Sequence, residues 1–329
     1  MKRSHRLAAL ALCAAVLSAG MASNAHASDA YPTRGLRILV GFAAGGAPDA
    51  LARVVAEKLA GAMGQPVVVE NRAGAQGNLA MAAVAKAAPD GYTLALAPVG
   101  NLSVNPALFS DLPFDPVRDF APITEVARVE NVLVVGAEKG PKSLAELLAL
   151  ARSATGQLTY ATPGAGSLAH LAAELFARGA VFTWRHVPYR GVSPALTDVL
   201  RGEVTATFAQ VSTAKPLIDG GQLRALGIAS RERSPLLPGT PTIAEAAGLP
   251  EFEAVSWYAL LAPAATPEPV VARLHAEVAR LLRAPDTRAA LEAQGASPVG
   301  GTPGELAALM QRDAARWGKV VRDAGIQAQ

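Results

Sequence analysis

The sequence predicts an α/β protein built from two domains, and three observations support this. Hydrophobic residues make up 51% of the chain but aromatic residues only 5%, which fits helices packed on buried strands better than an all-β sandwich. Short apolar runs alternate with small-residue loops and amphipathic helices. At 329 residues, the chain exceeds what one hydrophobic core usually supports, so two domains are expected.

The first series of elements starts at residue 36. Its strands are short apolar runs, and its first helix carries Leu51, Val55 and Leu59 on one face. The predicted elements are strands at 36–40, 66–70 and 92–97, a helix after Pro48 and an alanine-rich helix ending at Lys86. Residues 99–109, VGNLSVNPALF, are predicted as a polar loop at the same rim as the turn after the first strand.

A second series repeats the order of strand, loop and helix. It contains strands at 131–135, 157–161, 186–189, 204–208 and 223–229, and helices at 143–153, at 168–177 and around Pro194. A strand at 255–261 and two helices follow, one starting at Thr266–Pro267 and one with the capping box Thr302–Glu305. We therefore divide the chain into lobe 1, residues 28–128 plus 241–329, and lobe 2, residues 129–240.

The amino terminus predicts a signal peptide over residues 1–27. The basic start MKRSHR precedes the apolar run 7–22, and Ala25-His26-Ala27 forms an A-x-A cleavage signal. The apolar run is shorter than the roughly 20 residues that a membrane span needs. We therefore expect cleavage before Ser28 and a periplasmic location for the mature chain.

The composition of the chain without this segment excludes several classes of protein. Lys plus Arg falls from 30 to 27 against 27 Asp plus Glu, so the mature chain has no net charge and no basic face for nucleic acid. The only cysteine, Cys13, leaves with the leader. Disulfides, thiolate metal sites and cysteine nucleophiles are therefore not expected.

A glycine-rich turn, GFAAGGAPD at 41–49, follows the first strand and precedes a helix. Ala47 and Pro48 stand where a phosphate-binding loop needs Lys and Ser or Thr, and the turn has no G-x-G-x-x-G triplet, so no nucleotide cofactor is predicted. Its backbone N–H groups, at the positive end of a helix, can bind a small anion. An ordinary strand-to-helix connection is the alternative.

A second turn of the same kind, TPGAGS at 162–167, lies in lobe 2. If the lobes face each other, the two turns and two helix starts converge on one cleft that suits a carboxylate. The candidate ligand-binding residues are Phe42, Ala43, Ala44, Gly45, Gly46, Ala47, Asp49, Ser103, Thr162, Gly164, Gly166, Ser167, His170 and Gln210. Asp49 is interpreted either as a helix-start residue or as a ligand contact, and its charge favours a role in orienting the first turn.

Enzymatic and metal sites find little support. Ser167 and His170 are three residues apart and suggest a nucleophile and a base, but there is no G-x-S-x-G turn, and capping of the helix by Ser167 explains the pattern better. A secreted hydrolase using Ser167 stays open as an alternative. His170, His186 and His275 are spread along the chain without metal-ligand spacing, so no metal site is predicted.

Nearly the whole of residues 31–326 resembles the Bug-type substrate-binding proteins of tripartite tricarboxylate transporters. The matching stretches include GGAPDALAR, QPVVVENRAGAQGN, AAPDGYTLAL, FDPVRDFAPIT, HVPYRG, PALTDVLRGEV and WGKVVRDAGI, in one order. The resemblance implies a two-lobed periplasmic-binding-protein fold of type II that closes on a small organic acid. It also implies that the two glycine-rich turns hold a carboxylate from opposite lobes.

The resemblance further implies a monomer, not an enzyme, that delivers its ligand to the membrane permease subunits. Delivery to a sensor kinase would use the same fold and is the alternative. The sequence departs from the family at Ala43 and Ala44, where the family usually has prolines. Without those prolines the turn is free to sample more backbone conformations before it binds a ligand.

Overall fold

The computed structural model describes residues 31–153 and 157–327, so the predicted signal peptide lies outside the described part. Eleven strands form two sheets in these residues. They are β1 (Leu36–Val40), β2 (Val67–Asn71), β3 (Thr93–Pro98), β4 (Phe120–Val129), β5 (Asn131–Gly136), β6 (Thr159–Thr162), β7 (Arg185–Pro188), β8 (Ala206–Gln210), β9 (Leu223–Ile228), β10 (Ser256–Pro263) and β11 (Ser297–Pro298).

Helices cover both sheets. They are α1 (Ala47–Met63), α2 (Asn78–Ala85), α3 (Asn105–Leu108), α4 (Leu144–Ser153), α5 (Leu168–Gly179), α6 (Val192–Arg201), α7 (Val211–Asp219), α8 (Ile243–Ala247), α9 (Glu268–Arg283), α10 (Pro285–Glu292) and α11 (Pro303–Ala324). Within 31–153 and 157–327, none of the helices combines the length and the apolarity needed to cross a membrane.

The first sheet has the strand order β11-β4-β10-β3-β1-β2. Its β1, β2 and β3 run parallel, while β10 is antiparallel to both β3 and β4. The apolar face of α1 covers this sheet: Leu51 and Leu59 are buried in one cluster with Ile38 and Leu94. The expected helical face of α1 is therefore confirmed.

The second sheet has the order β7-β6-β8-β5-β9. Here β6 runs parallel to β7 and β8, whereas β5 is antiparallel to β8 and β9. The chain enters this sheet at Asn131, leaves it after Ile228, and returns to the first sheet with β10. The division into lobes 28–128 plus 241–329 and 129–240 stays a prediction.

The prediction of a loop at 99–109 is wrong. Gly100–Val104 form one turn of π-helix, and α3 continues directly from it. Val99, Leu102 and Val104 are buried in the core, and Asn101 and Asn105 are equally buried. The polar residues misled the prediction because the amides of Asn101 and Asn105 donate to Asn78, and that of Asn101 also to a backbone carbonyl, instead of facing solvent.

Several elements were not predicted at all. They are β4, β11, α7, α8 and α10. In β4, Pro122, Glu125 and Arg128 interrupt the apolar pattern. The structure accommodates Pro122 where the pairing with β10 shifts register, and it pairs Glu125 with Arg128 at 2.6 Å. A charged pair within a ten-residue strand removes the alternation on which sequence-based strand prediction depends.

Candidate functional site

The carboxyl ends of parallel strands define a rim on each sheet. On the first sheet, β1, β2 and β3 end at Val40, Asn71 and Pro98. Turns lead from β1 and β2 into helices, whereas β3 runs directly into helical structure. On the second sheet, β6, β7 and β8 end at Thr162, Pro188 and Gln210. Ligands of open α/β sheets bind outside such carboxyl ends, at the turns.

Two contacts show that the rims face each other. Gln210, at the end of β8, donates from Nε2 to the Tyr258 hydroxyl at 3.4 Å, and Tyr258 pairs with Pro98 at the end of β3. In addition, a Cβ placed on Gly166 would lie 2.5 Å from Leu108 Cδ1, so the second turn packs against α3. The second glycine-rich turn therefore lies against the first half of the molecule, and the first turn follows β1 on the rim of the first sheet.

Asp49 holds the first turn in place. Its carboxylate accepts hydrogen bonds from the Gly45 N–H at 2.9 Å and from Asn71 Nδ2 at 3.0 Å, and it pairs with Arg53 at 2.9 Å. The hydrogen bond from Arg53, together with those from Gly45 and Asn71, lowers the pKa of Asp49 to about 2. The side chain is only 3% exposed, and these contacts correspond to the orienting role suggested by the sequence.

A strained turn from the β2–α2 connection lies beside the first turn. Gly74, Ala75, Gln76 and Gly77 all have positive φ, which is unfavourable for Ala75 and Gln76. A Cβ on Gly41 would lie 2.5 Å from Gly77 Cα, so the two turns touch through glycine backbone.

Three buried asparagines support this strained turn from below. Asn101 Nδ2 donates to Gln76 O at 2.9 Å and to Asn78 Oδ1 at 3.2 Å, while Asn105 Nδ2 donates to the same Asn78 oxygen at 2.6 Å. Each of the three is 2% exposed. Sequence analysis assigned them no role, although the repeated asparagines in NRAGAQGN and GNLSVN were a usable signal.

The start of α1 leaves backbone donors available. Gly46 is its N-cap and provides no side-chain cap, and Pro48 in the first turn has no N–H. The Ala47 and Asp49 N–H groups have no hydrogen-bond partner in the described residues. The Gly45 N–H, by contrast, is used by Asp49.

In the second turn most N–H groups are already used. Gly164 N–H donates to Thr162 Oγ1 at 3.3 Å, Gly166 N–H to His170 Nδ1 at 3.2 Å, and Ser167 N–H to Gly164 O at 3.3 Å. The N–H groups of Ala165, Leu168 and Ala169 have no partner within 31–153 and 157–327. These three are therefore the donors that the second turn can offer to an anion.

His170 and His186, sixteen residues apart in the chain, stack with ring centroids 3.9 Å apart. His186 Nε2 lies 2.6 Å from Thr162 Oγ1, and the Tyr160 ring lies near both imidazoles, 5.1 Å from His186 and 5.9 Å from His170. Burial, and to a smaller extent the neighbouring His186, lower the pKa of His170 to about 4. Burial also lowers the pKa of His186.

The remaining candidates have structural partners. Ser167 Oγ caps α5 by accepting the His170 N–H at 3.3 Å, as expected, and His170 Nδ1 accepts the Gly166 N–H rather than the Ser167 hydroxyl. Ser103, 1% exposed, donates to Met310 O at 3.2 Å. Its hydroxyl thus faces α11.

Metal-ligand groups and cavities are two further features of the described residues. No three His, Cys, Asp or Glu side chains are grouped as metal ligands in the described part of the chain. Cavities of about 490 and 510 Å³ lie elsewhere. One is at the amino ends of β1 and β3 beside Arg34 and Tyr92, and the other is beside Arg152 and Phe182.

Comparison with known proteins gives a consistent picture. The family model for the tripartite tricarboxylate transporter family receptor matches residues 51–326. Protein BugT of Bordetella pertussis is 38% identical over 311 residues, which cover 94% of this chain and 95% of BugT.

Two solved structures are similar over almost their whole length. R. palustris Rpa4515 with adipate is 37% identical with a TM-score of 0.78, covering 90% of this chain and 99% of that one. MatC from Rhodopseudomonas palustris with bound malate is also 37% identical, with a TM-score of 0.74, covering 88% and 100%. The expected periplasmic-binding-protein fold is thereby confirmed.

Proposed function

The chain belongs to the family of tripartite tricarboxylate transporter receptors, and from that premise we propose that it captures a small organic carboxylate between its two rims and delivers it to membrane permease subunits. The proposal places the ligand between lobe 1 (28–128 plus 241–329) and lobe 2 (129–240). It treats the protein as a monomeric binding protein without catalytic activity.

The observation that carries this proposal is the set of unpaired backbone donors on both rims. The starts of α1 and α5 present the Ala47, Asp49, Leu168 and Ala169 N–H groups, and Ala165 adds one more, all without partners in the described residues. Neither turn contains Lys or Arg. An anion at this position is therefore bound by helix N-termini, hydroxyls and bridging water rather than by a counterion.

The class of ligand is suggested by the similar structures, which hold adipate and malate. Both are dicarboxylates with a short aliphatic body. We propose that this chain also binds a dicarboxylate. One of its carboxylates lies at the start of α1 and is also contacted by the start of α5. The exposed Ala43 and Ala44 widen the conformational range of the first turn.

The proposed location is the periplasm, with residues 1–27 removed as a signal peptide. The family is one of extracytoplasmic receptors, and the Ala25-His26-Ala27 signal supports cleavage before Ser28. Sequencing the amino terminus of the exported protein tests this, and a membrane fraction that retains residues 7–22 contradicts it.

A thermal-shift screen tests the ligand. Mono- and dicarboxylates, adipate and malate among them, are compared with their methyl esters and amides. A ligand at 100 times its Kd adds about 2.7 kcal/mol to the free energy of unfolding. For a protein of this size that raises Tm by roughly 5–10 °C. The acids are expected to raise Tm, whereas the methyl esters and amides are expected to leave it unchanged.

The variant Gly46→Val tests the position of the carboxylate. Gly46 has negative φ, and a Cβ there meets no atom closer than 3.7 Å, so the substitution folds but blocks close approach of the ligand to the start of α1. Gly61→Val on the same helix, where a Cβ meets nothing within 4 Å, is the matched control. Gly166→Val is unsuitable because φ is +73° and Leu108 occupies the space.

Carboxylic acid ligands are expected to raise the Tm of Gly61→Val but not that of Gly46→Val. Equal stabilisation by esters and acids, or a normal shift in Gly46→Val, overturns the proposed carboxylate site.

A further inference from the structure

The bond between the Gly166 N–H and His170 Nδ1 determines the protonation of this ring. A nitrogen that accepts a hydrogen bond carries no proton, so a neutral His170 must hold its proton on Nε2. The ring is 7% exposed and stacked on His186 at 3.9 Å. The orientation of the ring is thus fixed by a backbone donor at Nδ1 and by stacking on a second imidazole.

This bond also decides which donors of the second turn remain free. If the Gly166 N–H were released, it would compete with Ala165 for an anion, and Gly166, with φ of +73°, would no longer be held against Leu108. His170 therefore controls the shape of the turn, although its ring is not one of the groups that donate to the anion.

We propose that His170 is a positioning residue for ligand capture: its neutral ring holds the Gly166 N–H so that Ala165 and the start of α5 face the ligand, and protonation of the ring releases the turn. The proposal rests on the proposed function, because it assumes that this turn binds the carboxylate. It adds that acid weakens capture through the protein as well as through the ligand.

The groups that face the His170 ring do not favour a charged imidazole. From β7, His186 would add like charge, and burial opposes protonation of both rings. From β6, Tyr160 faces it at 5.9 Å, and its hydroxyl bonds to Glu174 of α5 at 2.6 Å. The Arg178–Asp323 pair belongs to the other end of α5.

The direction of the pH effect follows from the lowered pKa. The folded protein takes up a proton on His170 only near pH 4, whereas an unfolded histidine does so near pH 6.5. The hydrogen bond to Gly166 is therefore intact at neutral pH and is lost as the pH falls through about 4. At that pH roughly half of the rings are charged.

The first experiment is independent of any ligand. The full chain is labelled with ¹⁵N-histidine, and single-histidine variants assign the signals. His170 is expected to show an unprotonated Nδ1 and a protonated Nε2 at pH 7, and to titrate with a pKa of about 4. A protonated Nδ1, or a pKa near 6.5, overturns the proposal.

The second experiment measures the affinity for adipate or malate in two variants. His170→Leu removes the acceptor and is expected to weaken binding roughly 2- to 10-fold at pH 7. His170→Asn places an amide oxygen where Nδ1 lies but cannot titrate, so it restores affinity. For each protein, the affinity at pH 4 is divided by its affinity at pH 7. This ratio is expected to be about twofold lower for the wild type than for His170→Asn.

His275→Leu, which alters a ring bonded to Gly301 O at 3.2 Å in the other half of the molecule, is the matched control and should leave affinity unchanged. Equal affinities of His170→Leu and wild type, with both variants folded by circular dichroism, overturn the proposal. If no acid binds the wild type while the His170 spectrum is as expected, the proposed function fails and the bond from Gly166 to His170 stands.

Discussion

At the scale of single residues, the surroundings decide what a side chain does. Asp49 follows a glycine-rich turn and could equally have contacted a ligand, but its carboxylate is saturated by Gly45, Arg53 and Asn71. Arg53 is itself half-exposed, and Asp49 is not. We therefore expect the Asp49 carboxylate to affect a ligand only through the turn that it holds.

Asp49→Asn is expected to lower the free energy of unfolding by about 1–3 kcal/mol at pH 7, because it breaks charge-assisted hydrogen bonds at a buried position. The pKa of Asp49 is lowered in the folded state, so its contribution is complete above about pH 4 and disappears as the pH falls through about 2. The difference between wild type and variant should shrink over that interval. Urea unfolding at a series of pH values measures it.

Asp219→Asn serves as the control, since Asp219 forms an exposed pair with Lys215 four residues earlier at 2.9 Å. Such a pair contributes only about 0.3–0.5 kcal/mol. A difference for Asp49→Asn that persists unchanged at pH 2 would show that the carboxylate charge is not what stabilises the turn.

At the scale of elements, the helix starts differ in how they are capped. The predicted capping box of α11 is confirmed: Thr302 Oγ1 accepts the Glu305 N–H, and Glu305 Oε2 accepts the Thr302 N–H at 2.7 Å. Helix α8 has a second such box, formed by Thr242 and Glu245. The start of α1 has no side-chain cap, which keeps its donors available at the rim.

Thr302→Ala is expected to destabilise the protein by about 1 kcal/mol, because the Glu305 N–H at the start of a 22-residue helix loses its acceptor, Thr302 Oγ1. Thr302→Ser keeps the oxygen and should cost much less. Urea denaturation measures both. The rise in Tm caused by a carboxylic acid ligand should be the same in both variants, since this cap is not part of either rim. If Thr302→Ala alone no longer shows this rise, the cap and the ligand site are not independent.

At the scale of the whole molecule, the two sheets are joined by crossing segments and by one helix pair. Asn131 Nδ2, just after the first crossing, donates to Ala254 O of the return crossing at 2.7 Å. Phe176 of α5 and Trp317 of α11 belong to the same hydrophobic cluster, and Arg178 pairs with Asp323 at 3.3 Å. Relative motion of the two sheets must therefore bend at these crossings while α5 stays near α11.

Ligand binding is expected to bring the rims closer, since a ligand held by donors from both α1 and α5 makes its contacts in full only when they approach. Small-angle scattering with and without adipate or malate should show a smaller radius of gyration in the bound protein. Gly46→Val under the same conditions should show no change. An unchanged radius in the wild type, with tight binding demonstrated, contradicts closure.

The sequence alone determined the α/β class, the family and the two glycine-rich turns. These depend on local patterns: apolar runs, helical spacing in α1, glycines between strand and helix, and the Thr302–Glu305 box. The order of matching stretches through residues 31–326 added the two-lobed fold. β4, whose apolar pattern is broken by Glu125 and Arg128, escaped prediction because these two charges compensate each other only in the folded strand.

Only the tertiary structure decided which donors in the turns are free. His170 and His186 stack although sixteen residues separate them, and the Gly166 N–H is used by the first of these rings. Asn101 and Asn105 turn a polar stretch into buried helix by bonding to Asn78 and to the strained turn. The physical reason is that a backbone or amide group is available to a ligand only when nothing nearer in space satisfies it, and nearness in space is not written in local sequence.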